Sequence, residues 1–282
     1  MKWSQMSKKT KRNSLIGDIL GVFFFAVIFL VPFYFMIVNS LKERVEANLL
    51  SIALPSSLNW SNYAEAFSAN HYQILTAFKN SIILTAGSVI GLIIVGSMAG
   101  YVLTRRTDRL PRRLNSLFMI GLMVPAAILP TIWVLQALHI YRSLFAMIMV
   151  EIALQTPFTI MLYRGFVDSV PKEVEESGYI DGCSPIQLFG KIVLPLLKPV
   201  TATVVILNAC TIFNDFTNPL YFLPGADQIT VQQTLYTFMG QYSSSYNVLF
   251  ADVILITIPM FIVFIIFNKQ LVAGMTAGAV KG

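Results

Sequence analysis

Charge is scarce in this sequence. Asp, Glu, Lys and Arg make up 12% of the 282 residues, whereas 56% are hydrophobic and the mean hydropathy is +0.69. Soluble domains carry about 25% charged residues, so this chain has too little polar surface to wet a globule. A soluble catalytic domain is excluded, and the bilayer is the expected solvent. Cysteine is nearly absent. Cys183 and Cys210 cannot build a disulfide framework, and neither has His or Cys neighbours at metal-ligand spacing, so both read as packing residues. The two histidines, His71 and His139, fall in separate outer loops without thiols or a carboxylate set around them, which favours interfacial positions over metal ligation. No Gly-Xaa-Ser-Xaa-Gly elbow, phosphate-binding loop or His-Glu-Xaa-Xaa-His occurs, so neither a catalytic centre nor a metal site is expected. Internal repeats, low-complexity tracts and any loop long enough for a nucleotide-binding domain are also missing.

What the chain has instead is long apolar runs. A hydrocarbon core about 30 Å thick needs roughly 20 apolar helical residues. Six runs free of Lys and Arg meet that length, at about 19–38, 81–104, 114–138, 144–163, 200–220 and 248–268. The first follows Lys8, Lys9, Lys11 and Arg12 but is too long for a signal peptide and lacks a small-residue cleavage pattern, so it is expected to stay as a helix. The fold class expected is all-α, a six-span polytopic membrane protein forming one transmembrane domain over 1–282.

The net charge of +6 would suggest nucleic acid in a soluble protein, but these basic residues sit at the ends of apolar runs, where they set orientation. Lys2, Lys8, Lys9, Lys11 and Arg12 precede the first run; Arg105, Arg106, Arg109, Arg112 and Arg113 separate the second and third. Arg164, Lys172, Lys191 and Lys198 separate the fourth and fifth, and Lys269 and Lys281 follow the sixth. The opposite segments hold Lys42, Arg44 and Lys79, then Arg142, then none between 199 and 268. Both termini are therefore expected in the cytoplasm of a multi-pass cell-membrane protein with no nucleic-acid partner. The outer stretch 40–80 carries Trp60, Tyr63, Phe67 and Tyr72 and reads as a segment along the interface. Gly87 with Gly91, and Gly96 with Gly100, fall four apart on one helix face, a pattern for close helix packing.

The cytoplasmic stretch 171–198 is the most informative. Pro171 can open a helix, Glu173, Glu175 and Glu176 suit its positive N-terminal end, and Gly182 can close it, which predicts a helix over about 172–181. Val174, Ser177, Gly178 and Asp181 recur at helical spacing and make one face small, open to close approach by another protein, while the other face is acidic. From Ile186 an apolar stretch leads through Leu194 and Pro195 into the fifth run.

Glu176, Ser177, Gly178, Gly182, Ile192, Leu194 and Pro195 carry a resemblance: their order and spacing resemble the EAA loop of ABC-importer permeases. The family has Glu-Ala-Ala where this chain has Glu-Ser-Gly, which lowers helix propensity by up to about 1 kcal/mol at Gly178. LNWSNYAEAF at 58–67, FNDFTNPLYFL at 213–223 and AGMTAGAVKG at 273–282 extend the likeness to the carbohydrate-uptake branch, similar to the second membrane subunit of the maltose transporter. The resemblance implies an importer with a second permease subunit, two cytoplasmic ATPases, an extracytoplasmic solute-binding protein and a carbohydrate cargo. ATP and Mg would sit on the ATPases, with no cofactor bound by this chain. Glu176 would pair with a basic residue in an ATPase cleft, with Ser177, Gly178, Asp181, Gly182, Ile192, Leu194 and Pro195 completing the coupling element. The tail, with Thr276, Gly278 and Lys281, would approach the ATPase interface.

Polar residues inside the runs are candidates for a substrate path. An Asp at a helix centre costs about 2.5 to 3.5 kcal/mol on insertion scales, yet Glu151, Asp215 and Asp252 lie in or near spans. With Gln155, Asn208, Asn214 and Asn218 they could offer hydrogen bonds to sugar hydroxyls, with Phe213 and Tyr221 as stacking faces. Interhelical bonding and capping explain the same residues equally well, and in the resembled maltose system the other membrane subunit holds the sugar. A secondary transporter is the alternative in class, but it requires a coupling-ion site and commonly paired repeats with broken helices, and neither is found in the sequence.

Overall fold

The computed structural model describes residues 8–123, 125–239 and 245–279, without side chains at 8–16, 110, 112 and 268–279. The described residues are all-helical, without a β-strand. In chain order the helices are α1 (Lys8–Ser40), α2 (Arg44–Ala47), α3 (Ser61–Arg105), α4 (Arg109–Met123), α5 (Ile128–Ala137), α6 (Leu144–Val167), α7 (Lys172–Ile180), α8 (Pro185–Leu188), α9 (Leu194–Leu196), α10 (Lys198–Phe213), α11 (Thr217–Phe222), α12 (Val231–Thr234) and α13 (Tyr246–Ala279). Four helices among the described residues are long and apolar enough to cross a membrane, and up to six spans result if two bent pairs each count as one.

Those bends depart from the expected straight runs. The stretch expected at 114–138 is split into α4 and α5 on either side of Pro125, a residue with no N–H to continue a helical ladder. The run expected at 200–220 ends at Phe213, because the carboxylate of Asp215 accepts the N–H groups of Thr217 and Asn218, at 2.9 and 3.2 Å, and starts α11 instead. Before α10, the Pro185–Leu196 segment meets it at 76°.

The chain divides into two compact units, 1–71 with 235–256 and 72–234 with 257–282. In the first, α1 leaves most of its apolar surface uncovered, as a lipid-facing helix should, with Phe23, Phe24 and Phe25 each exposed. Its α1–α2 end is tied by polar groups: Asn62 donates to the carbonyls of Ser40 and Lys42, both at 2.8 Å, and Asn247 donates to Asn62 at 2.7 Å. Lys42 is fully buried, yet its ammonium is satisfied by the Ser51 carbonyl and hydroxyl and by Asn39.

In the second unit α3 and α6 approach closely through glycine. A Cβ at Gly87 would stand 2.8 Å from Ile148 Cδ1 and one at Gly100 2.7 Å from Tyr163 Cβ, while Gly91 and Gly96 receive Ile152 and Thr159. Leu84, Leu92, Met147, Val150, Ile212 and Phe222 form one buried cluster along these helices, α10 and α11. Tyr163, Val167, Val193, Leu197 and Val204 form a second, which joins the end of α6 to the segment before α10.

Candidate functional site

The 171–198 segment is built from local chemistry. Helix α7 starts at Lys172 after Pro171, and Glu173 and Glu175 occupy its first turn, where the helix dipole favours anions. It ends in a reciprocal hydrogen-bond pattern: Gly182 N–H donates to the Tyr179 carbonyl at 3.1 Å and Cys183 N–H to the Gly178 carbonyl at 3.0 Å. Gly182 adopts φ +80°, a conformation that costs a glycine little. One residue after that turn, Ser184 caps α8, and Gln187 reaches back to the Ser184 N–H at 3.0 Å. Residues Phe189–Val193 then form a π-helical turn, in which Leu194 N–H reaches the Phe189 carbonyl five residues back. Pro195 follows; its ring would crowd the carbonyl four residues earlier in a regular α-helix, and the wider turn relieves that crowding.

The faces of α7 differ from the sequence expectation in one respect. Gly178 does not offer a bare face to another protein: it is buried, and the side chains of Leu188 and Ile192 fill the room a Cβ would need. Its small size serves the packing of α7 on the segment that leads into α10. Glu176, Ser177, Asp181 and Gly182 are exposed, as are Tyr179 and Ile180, and Ser177 Oγ donates back to the Glu173 carbonyl at 2.8 Å. Ile192 and Leu194 are half-buried, and Pro195 is exposed.

Sequence reasoning missed the anchor of this helix. Glu175 is buried and pairs with Arg105 at the end of α3, 2.5 Å from guanidinium nitrogen to carboxylate oxygen. Arg105 Nη2 also donates to the Val170 carbonyl at 2.7 Å, and Tyr101 donates its hydroxyl proton to the other Glu175 oxygen at 2.8 Å. The Tyr101 ring packs on Phe189, centroids 5.5 Å apart. Removing one partner of so shielded a pair costs about 3 to 5 kcal/mol, because a buried charge is left uncompensated. The only sequence signal was one of sign, a basic run at 105–113 and an acidic helix assigned to the same side.

The intramembrane candidates separate into a cluster and a scaffold residue. Glu151 on α6 is 1% exposed, and its carboxylate lies in interaction range of Asp215, Asn218 and Gln155. Asp215 in turn accepts from the Asn218 amide at 2.6 Å. Asn214 is exposed beside this group and accepts from Gln232 Nε2 at 3.0 Å. Asn208 is buried elsewhere, donating to the Val204 carbonyl at 2.9 Å and to Thr159 Oγ1 at 3.3 Å, an interhelical tie of α10 to α6. Phe213 is buried in packing and presents no free stacking face, whereas Tyr221 is exposed. His71 and His139 both adopt left-handed backbone conformations, φ +58° and +57°. Of the tail, Lys281 lies outside the described residues, and Thr276 and Gly278 are described only as part of the helical backbone of α13.

Residues 92–277 match the family described as binding-protein-dependent transport system inner membrane component. The chain belongs to this family. The chain is thus a permease subunit of an ABC importer, whose ATPase resides in separate chains. It is 31% identical over 255 residues to the melibiose/raffinose/stachyose import permease protein MelC of Bacillus subtilis (strain 168), covering 89% of this chain and 91% of that one. To the arabinooligosaccharides transport system permease protein AraQ of Halalkalibacterium halodurans it is 31% identical over 282 residues, covering 97% and 100%. The fold matches the crystal structure of a bacterial ABC transporter involved in the import of the acidic polysaccharide alginate, with a TM-score of 0.82 at 20% identity over 94% of this chain and 98% of that one.

Proposed function

We propose that this permease forms one membrane half of an ATP-driven importer that carries an oligosaccharide or sugar derivative into the cell. The observation that carries this reading is the geometry of α7, a helix that starts after Pro171, is closed by the Gly182 turn and is anchored from within by Glu175, with Glu176, Tyr179 and Ile180 turned outward. Such a helix is suited to a cleft on a separate ATPase and is joined to α10 through the packed segment at 181–197. The substrate class is supported by the relatives named above, which are sugar permeases by name.

In this reading each bent pair is one crossing, which makes six spans, and the Lys and Arg asymmetry puts both termini and α7 in the cytoplasm. The assembly has a second permease chain, two ATPases that hold ATP and Mg, and an extracytoplasmic solute-binding protein. The tail after Ala273, with Thr276, Gly278 and Lys281, reaches the ATPase interface. Glu151, Gln155, Asp215 and Asn218 line the sugar path with Asn214 at its rim, and Asn208 holds the walls together.

The test is uptake of a panel of radiolabelled sugars by the complete purified assembly in liposomes. Uptake that requires both ATP and the ATPase is the expected result. Uptake by this chain without the ATPase, driven by an ion gradient, would overturn the proposal in favour of a secondary transporter.

A further inference from the structure

Helix α3 is held at two places far apart. At one end Arg105 and Tyr101 grip Glu175 of α7, and Arg105 also binds the Val170 carbonyl just before that helix. Near the middle of the helix, Asn80 Nδ2 donates to the carbonyls of Asp227 and Ile229, both at 3.0 Å, and Ser81 Oγ accepts from Val231 N–H at 3.0 Å. Asn80 and Ser81 are buried, as are Thr230 and Val231. From Asn80 to Arg105 is roughly 38 Å of helix at a rise of ~1.5 Å per residue.

The length between these anchors is stiff. All of it is α-helical, and the glycine face seats α6 against it from Gly87 to Gly100, so the two helices form a packed pair. Backbone carbonyls on a turn-rich segment are soft attachment points unless something fixes them; here one amide bridges two of them and a hydroxyl takes the next N–H. The segment so held also contacts the intramembrane polar group, because Gln232 donates to Asn214, next to Asp215.

We infer that α3 is a tether linking the coupling helix to the 227–232 segment, with Arg105 and Asn80 as its positioning residues, so that a displacement of α7 reaches the rim of the polar cluster through α3 as well as through α10. The inference rests on the permease reading above. An ion pair with two further hydrogen bonds fixes the position of α7 on α3, and such networks, like rigid helices, carry coupling between sites. Asn80 touches neither α7 nor the polar cluster and acts only through the segment it holds.

The test uses the complete assembly in liposomes, in a background with Cys183→Ser and Cys210→Ser. Spin labels at Ala226→Cys and Arg142→Cys report the outer segment by distance, before and after trapping the ATPase with ADP and vanadate. The parent is expected to change its distance on trapping. Asn80→Asp, which replaces the amide donor by an acceptor facing two carbonyls, should lose that change with ATPase binding and basal hydrolysis retained, and its uptake per ATP should fall by about fivefold or more. Arg105→Glu should lose the change as well, and Arg105→Glu with Glu175→Arg should recover it. A bound ATPase with no distance change in the parent, or parent-like changes in Asn80→Asp and Arg105→Glu, would overturn the tether alone. A parent that neither captures the ATPase nor takes up sugar would overturn the permease reading and the tether together.

Discussion

A Cβ atom at Gly178 would stand 2.5 Å from Leu188 Cδ1, so α7 meets the segment after it through a side chain that is absent on one partner and fills the space from the other. Ile192 Cδ1 closes the same space at 2.6 Å. Restoring the alanine of the family pattern therefore brings two opposed effects. Gly178→Ala gains up to about 1 kcal/mol of helix propensity but overpacks a filled contact at about 1 to 3 kcal/mol, and overpacking should win by about 1 kcal/mol. Thermal unfolding of the solubilised permease, with Leu188→Val combined in a double-mutant cycle, reads the balance; a Gly178→Ala variant as stable as the parent and additive with Leu188→Val would contradict the contact.

Gly182 separates conformation from contact. Nothing lies within 4 Å of a Cβ built there, so any penalty comes from its φ of +80°. Placing an L residue in that region costs about 1 to 2 kcal/mol, and a β-branched one more, while Asn tolerates it. Gly182→Val should still capture the ATPase but transport poorly for each ATP hydrolysed, and Gly182→Asn should stay near the parent. Equal behaviour of the two variants would remove the backbone argument.

Glu176 points away from the body of the protein, unlike its neighbour Glu175. Reversing its charge should cost binding without disturbing the fold: Glu176→Lys is expected to weaken pull-down of the ATPase by about 2 to 5 kcal/mol if the contact is shielded from water, at an unchanged unfolding temperature. Glu175→Lys should do the reverse, lowering the unfolding temperature first. Normal assembly and normal uptake in Glu176→Lys would mean that α7 docks by other groups.

Two asparagines with the same sequence credentials should part company. Asn208 ties α10 to α6 inside the protein, and Asn208→Ala should lower stability by about 1 to 3 kcal/mol as Thr159 loses its donor. Asn218 sits with Glu151 and Asp215, so Asn218→Ala should raise the KM for the sugar more than it lowers the unfolding temperature. A KM unchanged in Asn218→Ala would argue against a sugar path through this cluster.

Orientation can be read by labelling. With Cys183 and Cys210 replaced by serine, a membrane-impermeant thiol reagent on intact cells should label Ser56→Cys, and label Ser177→Cys only after lysis. Both positions are exposed, so access to the reagent depends on side and not on burial. Labelling of Ser177→Cys from outside would reverse the topology.

What the sequence made legible was local. Pro171, the glutamates after it and Gly182 each act within one helical turn, so the start, charge and end of α7 follow from short-range chemistry. The long apolar runs likewise announce themselves without a partner. The Arg105 and Glu175 pair was illegible because the two residues stand 70 positions apart, and each already had a sufficient local explanation, one as a topology charge and the other as a helix-dipole anion. Gly178 misled for a related reason: a small residue on a helix face says that something comes close, but not from which side. The gathering of Glu151, Gln155, Asp215 and Asn218 needed α6 and α11 to meet, and the break that starts α11 depends on which N–H groups the Asp215 carboxylate takes up.

The turn around Gly182 also bears on how such subunits can be exchanged. The helix end, the Ser184 and Gln187 cap and the π turn before Pro195 follow one another without a gap, and Gly178 is fitted to Leu188 and Ile192 within that stretch. A chimera that borrows only the nine residues of α7 from another permease would therefore bring a helix whose complement was left behind. Transplanting 171–198 as one cassette keeps those fits, but it still meets a host residue at position 105. Grafts should then succeed or fail according to whether the recipient supplies an arginine there, a compatibility rule that lies outside the segment being moved.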